Sequence, residues 1–394
     1  IIFTINRIQQ DCQYPITIYE NKEPALFSVN CNSATVNGRF ISGRPLNSGI
    51  ETQFITLEIT NLDTQNPTPY ILKTDPIEGV YFYGTGTIDP GITKNVDIIA
   101  IGTPHGSGDK EFTIKSSSIS ETTNCSVTVP FNQVMPEVKI VGAGIGIYSP
   151  GTASTNQSAK RLLTNTANFG PQGTTLVDKI NIVDTGTSNT NLAKEITDAD
   201  IVIIGHSYSP NDASIELLTD FVVNKKGVLL YANEYNSEPT TKLINKIFGN
   251  NTNIKVSSRQ TYNYLSPTSD IDDPLLNGPF GNVTQSYIGI DFGDTVYFSN
   301  LPPEAIVLST KNNDNSQALT FRHPTLGFFV NGDAGWLAGN SSELSTVIYP
   351  CYHSNGLPVN KNYSGKERVY NSVLYANAID WAIKYVSKNK YKIN

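Results

Sequence analysis

The strongest constraint on this chain is an alternation, from Val138 to about Gly249, of short apolar runs with segments of helical period. Val138-Lys-Ile-Val-Gly, Lys179-Ile-Asn-Ile-Val, Asp200-Ile-Val-Ile-Ile-Gly and Gly227-Val-Leu-Leu-Tyr are each the length of a strand. The last two are apolar without a break, as strands covered on both faces of a parallel sheet must be. Between them lie Ser158-Ala-Lys-Arg-Leu-Leu-Thr-Asn, Asn191-Leu-Ala-Lys-Glu-Ile-Thr and Ala213-Ser-Ile-Glu-Leu-Leu-Thr-Asp-Phe-Val-Val, with apolar residues at helical spacing. Strand and helix in repetition predict a doubly wound α/β layer structure.

Everything before Pro136 is patterned differently. Residues 31–131 alternate β-rich runs (Phe54-Ile-Thr-Leu-Glu-Ile-Thr, Val80-Tyr-Phe-Tyr, Val96-Asp-Ile-Ile-Ala-Ile) with turns such as Asp89-Pro-Gly and Gly106-Ser-Gly. Short strands at regular spacing without helical period predict an antiparallel sandwich. The expected organisation is therefore a β-sandwich over 25–131, a polar linker over 132–137 carrying Pro136, and an α/β domain over 138–394. Beyond Gly249, runs such as Ala305-Ile-Val-Leu-Ser-Thr and Leu326-Gly-Phe-Phe-Val-Asn predict antiparallel strands extending the sheet. Residues 340–366 read as a long polar loop, and Val369 to Val386 as a closing amphipathic helix.

Composition excludes several function classes. The net charge of −7 with no basic run argues against a nucleic-acid or anionic-membrane partner. No apolar stretch approaches the ~20 residues needed to span a bilayer. The start at Ile1 and the single Met lead to the expectation of a signal sequence, and of further chain, upstream. Cys12, Cys31, Cys125 and Cys351 form no Cys-x-x-Cys pair and have no histidine at ligand spacing, so no metal site is expected and disulfides in an exported protein are. Cys31 opens the sandwich and Cys125 enters its last strand; a bridge between them would stabilise by roughly 4–5 kcal/mol in the chain-entropy model.

Cys31…Gly38-Arg-Phe, Gly79-Val-Tyr-Phe-Tyr-Gly-Thr-Gly-Thr-Ile-Asp-Pro-Gly and Phe112-Thr-Ile…Cys125-Ser-Val-Thr-Val together resemble the Ig-like repeats of Bacteroidota surface proteins. The resemblance covers 31–131 and implies spacing and display in adhesins and stalks. Phe3-Thr-Ile-Asn…Cys12-Gln-Tyr-Pro-Ile-Thr-Ile-Tyr repeats the pattern that ends the sandwich. Residues 1–24 thus read either as the last strands of a preceding repeat or as an exchanged β-arm that completes a neighbour's sheet. Cys12 then lacks its in-repeat partner; it is free or bonded elsewhere, with Cys351 as the unclaimed candidate.

The second domain resembles the class I glutamine amidotransferase-like superfamily, in particular its ThuA-like branch. The resemblance rests on Ala199-Asp-Ile-Val-Ile-Ile-Gly, Leu217-Leu-Thr-Asp-Phe-Val-Val-Asn-Lys-Lys-Gly-Val-Leu-Leu-Tyr, Asp273-Pro-Leu-Leu-Asn-Gly-Pro-Phe, Gly327-Phe-Phe-Val-Asn-Gly-Asp-Ala-Gly-Trp and the terminal helix, over 138–388. It implies a flavodoxin-like sheet with an antiparallel edge extension. It also implies a nucleophilic thiol at the turn after 227–231, where this chain has Tyr231-Ala-Asn-Glu-Tyr. Amide attack needs a thiolate with a base in reach, so amidotransferase chemistry is expected to be absent.

Polar residues expected at the carboxyl ends of the strands are His206, Ser207, Asn233, Glu234 and Asp333, the binding candidates; His206, Ser207 and Glu234 are also weak catalytic candidates. Gly205-His-Ser-Tyr-Ser is half of a serine nucleophile elbow but lacks its closing glycine. The competing reading makes Ser207 the cap of a helix beginning near Asn211, His206 an exposed loop residue, Glu234 an acid at a helix N-terminus and Asp333 a turn residue. Val141-Gly-Ala-Gly-Ile-Gly-Ile has Ile147 where a dinucleotide fingerprint requires its third glycine, and no cofactor is expected. The leading expectation is a non-catalytic secreted or cell-surface protein whose α/β head contacts a glycan, a protein or a neighbouring copy. The alternatives are a hydrolase at the sheet's carboxyl edge and a subunit of an extracellular filament joined through the N-terminal arm.

Overall fold

The structure is a computed structural model. It describes residues 25–48, 51–119, 125–149, 157–234, 237–249, 252–259, 265–289, 295–337, 356–363 and 366–393. The expectations placed on residues 1–24, on Cys12 and on Cys351 lie outside the described residues. The chain divides into two units, Ile1–Asn132 and Gln133–Asn394, and strand outweighs helix.

The first unit is all β. Its strands are β1 (Phe27–Asn37), β2 (Phe40–Ile41), β3 (Phe54–Asn61), β4 (Thr68–Thr74), β5 (Val80–Ile88), β6 (Thr93–Gly102), β7 (Gly108–Ser116) and β8 (Cys125–Asn132). They hydrogen-bond in the order β1-β3-β6-β5-β4-β7-β8-β2. Burial alternates residue by residue along β4 and β8, as period-two side chains facing one core require. Phe27 meets Tyr70 and Phe40 meets Phe82 across this path, so the sheet curls over a single apolar core. Cys31 and Cys125 are joined by a disulfide, with 5.1 Å between their Cα atoms, tying β1 to β8.

The second unit is built on a nine-stranded sheet. Its parallel part comprises β9 (Val138–Ala143), β12 (Ile180–Asp184), β13 (Ile201–Ile204), β14 (Val228–Ala232) and β23 (Phe328–Asn331), in the order β12-β9-β13-β14-β23. The short pair β10 (Phe169–Gly170) and β11 (Thr175–Leu176) lies outside it. β13 and β14 are buried along their whole length, because helices cover both faces. On one face pack α1 (Gln157–Thr164) and α5 (Asn371–Asn389); on the other pack α2 (Asn189–Glu195), α3 (Asp212–Val223) and α4 (Glu238–Phe248). Ser188, Asn211 and Ser237 cap α2, α3 and α4, each accepting from the backbone N–H three residues on. Gly227 makes the α3–β14 turn possible, since a Cβ there would stand 2.1 Å from the Phe221 ring. In α5, Leu374, Ile379 and Ile383 are buried, each side chain worth roughly 1.5–3 kcal/mol relative to exposure.

Beyond α4 the chain adds antiparallel strands: β15 (Lys255–Val256), β20 (Phe298–Ser299), β21 (Ile306–Lys311) and β22 (Asp314–Arg322) continue the sheet past β23. The hairpin β17 (Asn277–Gly278) and β18 (Gly281–Asn282) is bonded by Asn377 of α5. A separate four-stranded sheet joins β16 (Leu265–Pro267), β19 (Tyr287–Gly289), β25 (Lys366–Val369) and β24 (Lys361–Tyr363). The expected loop over 340–366 is corrected in its last part, where 361–363 are paired strand rather than loop. None of the described helices is long and apolar enough to cross a membrane.

Candidate functional site

The order β12-β9-β13 reverses direction at β9. The chain leaves β9 toward α1 on one face and leaves β13 toward α3 on the other. Between these two departures an open α/β sheet has a crevice at its carboxyl edge, where such sheets bind ligands. Gly205 N–H donates to the Ala143 carbonyl (2.8 Å) and Ile145 N–H to the His206 carbonyl (3.1 Å), stitching the two loops together. Gly144 permits this: a Cβ there would stand 3.3 Å from both the His206 and Tyr148 carbonyl oxygens.

At this edge His206 meets Glu234. Nδ1 of His206 lies 2.6 Å from Oε1 of Glu234, whose side chain is only 5% exposed against 19% for the histidine. The other neighbour of the imidazole is the Tyr148 ring, with centroids 4.8 Å apart and planes inclined by 48°. The reading of His206 as an exposed loop residue is therefore corrected: the ring is held between a carboxylate and an aromatic face. Glu234 lies three residues ahead of the α4 cap and is not itself that cap. The cap of α4 is Ser237, and the carboxylate is spent on the neighbouring strand's histidine.

Asn233 fixes the turn that carries Glu234. Its N–H donates to the Asn331 carbonyl (3.0 Å), and its Nδ2 donates to the Tyr231 hydroxyl (3.0 Å), which pairs with Thr240 Oγ1 in the first turn of α4. Burial pushes the Tyr231 phenol up, against the lowering effect of those bonds. The loop after β13 is anchored from the far side by Tyr208, whose hydroxyl donates to Asn189 Oδ1 (2.8 Å) and whose pKa burial raises to about 12.

Ser207 is exposed, with φ 65°, in the left-handed region that costs an L-residue roughly 1–2 kcal/mol. It does not cap α3. Asn211 does, its Oδ1 accepting from Ser214 N–H at 2.9 Å, because that cap must stand three residues before the donor it satisfies. Asp333, 1% exposed, forms a turn: its N–H donates to Asn331 Oδ1 (2.9 Å), and its Oδ1 accepts from Gly335 N–H (2.7 Å). The 3-10 turn it opens, Ala334–Leu337, packs on the turn Gly146–Tyr148 that supplies the aromatic face. Thus His206, Glu234 and Asn233 come together, Ser207 adjoins them in sequence, and Asp333 contributes at one remove.

Sequence reasoning missed Tyr148, whose partner lies on the loop of the neighbouring strand, and the use made of Asp184. At the end of β12, Asp184 Oδ1 accepts from Ser149 Oγ and Gly186 N–H, both at 2.9 Å, and so shapes the first loop. Asn331 Nδ2, Thr320 Oγ1 and Ser309 Oγ form a cross-strand row on β23, β22 and β21 and are buried without a hydrogen-bond partner. Among the described residues no group of three or more His, Cys, Asp or Glu is placed to hold a metal ion. A histidine with one ring nitrogen against a buried carboxylate can exchange a proton or bond a ligand.

No protein-family model matches the chain, and no curated protein matches it. Among solved structures, the mmIFT52 N-terminal domain is similar with a TM-score of 0.38 and 13% identity, covering 62% of this chain and 96% of that one. The complex of the Amycolatopsis orientalis exo-chitosanase CsxA with PNP-beta-D-glucosamine is similar with a TM-score of 0.16 and 11% identity, covering 56% of this chain and 26% of the other. At these scores neither likeness assigns a fold or a function.

Proposed function

We propose that the chain is a non-catalytic, exported surface protein in which an Ig-like spacer presents a flavodoxin-like, amidotransferase-related head. The head takes up a glycan or protein group at the crevice beside His206 and Glu234. The observation that carries this reading is the turn after β14. Where an amidotransferase needs its thiol, the chain has Asn233 and Glu234, and the Glu234 carboxylate stands 2.6 Å from a histidine. An imidazole beside Tyr148 suits recognition: it offers a polar edge and an aromatic face at the carboxyl edge of the sheet. The strand order with α1 and α5 on one face supports the flavodoxin-like assignment, and the Cys31–Cys125 bridge in a curled antiparallel sheet supports the Ig-like and exported ones.

The experiment is a turnover screen of the purified chain against p-nitrophenyl esters, anilides and p-nitrophenyl glycosides, run beside Glu234→Gln. Equal, background rates for both are expected. A rate in the wild type that Glu234→Gln removes would overturn the proposal in favour of the second reading, a hydrolase. Two observations favour that second reading: the His206–Glu234 contact and the left-handed backbone of Ser207, a conformation that clusters at active sites. A Ser207→Ala variant that also loses the rate would identify the nucleophile.

A further inference from the structure

A second site lies away from the crevice and shares no residue with it. A cleft of about 890 Å³ opens between the turn after β16, the start of β19 and the hairpin β21–β22. This is within the ~300–1,000 Å³ range of small-ligand sites. Its wall is rigid where it needs to be. Thr268 is buried, its Oγ1 donating to the Val283 carbonyl (2.5 Å) and accepting from Ser286 N–H (2.8 Å). Ser269 N–H donates to the Leu308 carbonyl (2.9 Å) and its Oγ to the Val307 carbonyl (2.9 Å), locking the turn to β21.

The rim comes from the hairpin. Asn312 and Asn313 have φ of 52° and 64° between the paired residues Lys311 and Asp314. Two successive left-handed residues make the tight turn that suits paired strands, and asparagine tolerates that backbone. Asn313 and Asn315 thereby line the cleft from one side. Asp270 and Gln285 line it from the other, joined by a 2.5 Å bond from Gln285 Nε2 to Asp270 Oδ2.

The chemistry of the lining selects the ligand. Among the described residues no Lys, Arg or His lines the cleft and Asp270 is the one carboxylate, so phosphate, sulfate and acidic polymers are disfavoured. The amides of Asn313 and Asn315, each both donor and acceptor, line the cleft together with the apolar Ile271, Ile306 and Val307, and Tyr287 adds an amphipathic ring. A ring of hydroxyls with apolar C–H faces matches this combination of rim amides, aromatic ring and apolar wall. We infer that this cleft binds a neutral oligosaccharide, independently of what the His206–Glu234 crevice takes.

The test is isothermal titration of the whole chain with maltotriose, cellotriose, mannotriose and xylotriose, with a sulfated disaccharide and spermidine as charged comparators. At least one neutral trisaccharide is expected to bind and the charged probes are not. Tyr287→Ala and the double variant Asn313→Gly with Asn315→Ala should each weaken binding about tenfold, and Asp270→Asn by less. Glycine preserves the left-handed turn, and unchanged thermal unfolding certifies that the variants are folded. Glu234→Gln should keep the trisaccharide binding that the cleft variants weaken. The inference is overturned if no neutral trisaccharide binds, if a charged probe binds in its place, if the cleft variants bind unchanged, or if Glu234→Gln abolishes binding and moves the site to the crevice.

Discussion

The two edges of the parallel sheet each bury an acid and each carry a histidine, yet they use them differently. At the amino edge Asp200, 2% exposed, accepts from Lys139 N–H (2.9 Å), Lys390 Nζ (2.7 Å) and the Tyr391 hydroxyl (2.6 Å). That carboxylate is satisfied by groups that also tie the end of α5 to the start of β13. Its hydrogen bond, and burial before it, raise the Tyr391 phenol. At the carboxyl edge Glu234 is as deeply buried, but it faces a histidine on the crevice. The histidines diverge in the same way. His323, at the amino edge, accepts through Nδ1 from both Thr325 N–H (3.1 Å) and Leu326 N–H (2.9 Å), with its ring 4.8 Å from that of Phe248. A nitrogen that accepts two backbone bonds must stay unprotonated, whereas Nδ1 of His206 is set against a carboxylate. One edge spends its polar groups on the fold, and the other sets a histidine against a buried carboxylate.

The largest effect that would test this contrast is at Asp200. Asp200→Ala removes the acceptor shared by Lys139 N–H, Lys390 Nζ and the Tyr391 hydroxyl and is expected to cost about 3–5 kcal/mol in chemical unfolding. A loss below about 1 kcal/mol would break the contrast by making the amino edge no more structural than the other. Cys31→Ser with Cys125→Ser sharpens the measurement. It is expected to cost about 2–5 kcal/mol in the all-β unit alone, separating the two units' transitions so that edge variants are read on the second.

Glu234→Gln should cost less than Asp200→Ala, about 1 kcal/mol, because its partner is part-exposed and the amide keeps the shape. Acid should act at the amino edge first. Burial holds His323 below its usual value, so the unfolded chain binds the proton more readily; stability is intact above about pH 6.5 and declines as the pH falls below it. His323→Gln, which keeps an acceptor, should flatten that decline in a series of thermal melts. The smallest expected change is at the orphaned row: Thr320→Val should be neutral or stabilising by about 1 kcal/mol, since an unpaired buried hydroxyl is removed without loss of shape.

The sheet was legible in the sequence because strands buried on both faces must be apolar throughout, and Ile201–Ile204 and Val228–Ala232 are. The caps were legible only in part. Ser207 and Asn211 are both acceptable N-cap residues, and the distance to the first free N–H, which local composition does not reveal, decides for Asn211. His206, Asn233 and Glu234 could be placed at one edge from the strand ends alone. Their pairing could not, because it depends on β13 and β14 being neighbours and on a turn held by Tyr231 and Thr240. Tyr148 was invisible for the same reason: its aromatic contact is made with the loop of another strand.

The most direct test of the contrast is to measure, on the same preparations, unfolding free energy and turnover for the wild type, Asp200→Ala and Glu234→Gln. A large stability loss confined to Asp200→Ala is expected, with background turnover in all three. Turnover well above background in the wild type that Glu234→Gln abolishes while leaving stability unchanged would contradict it, and would make the carboxyl edge an active site.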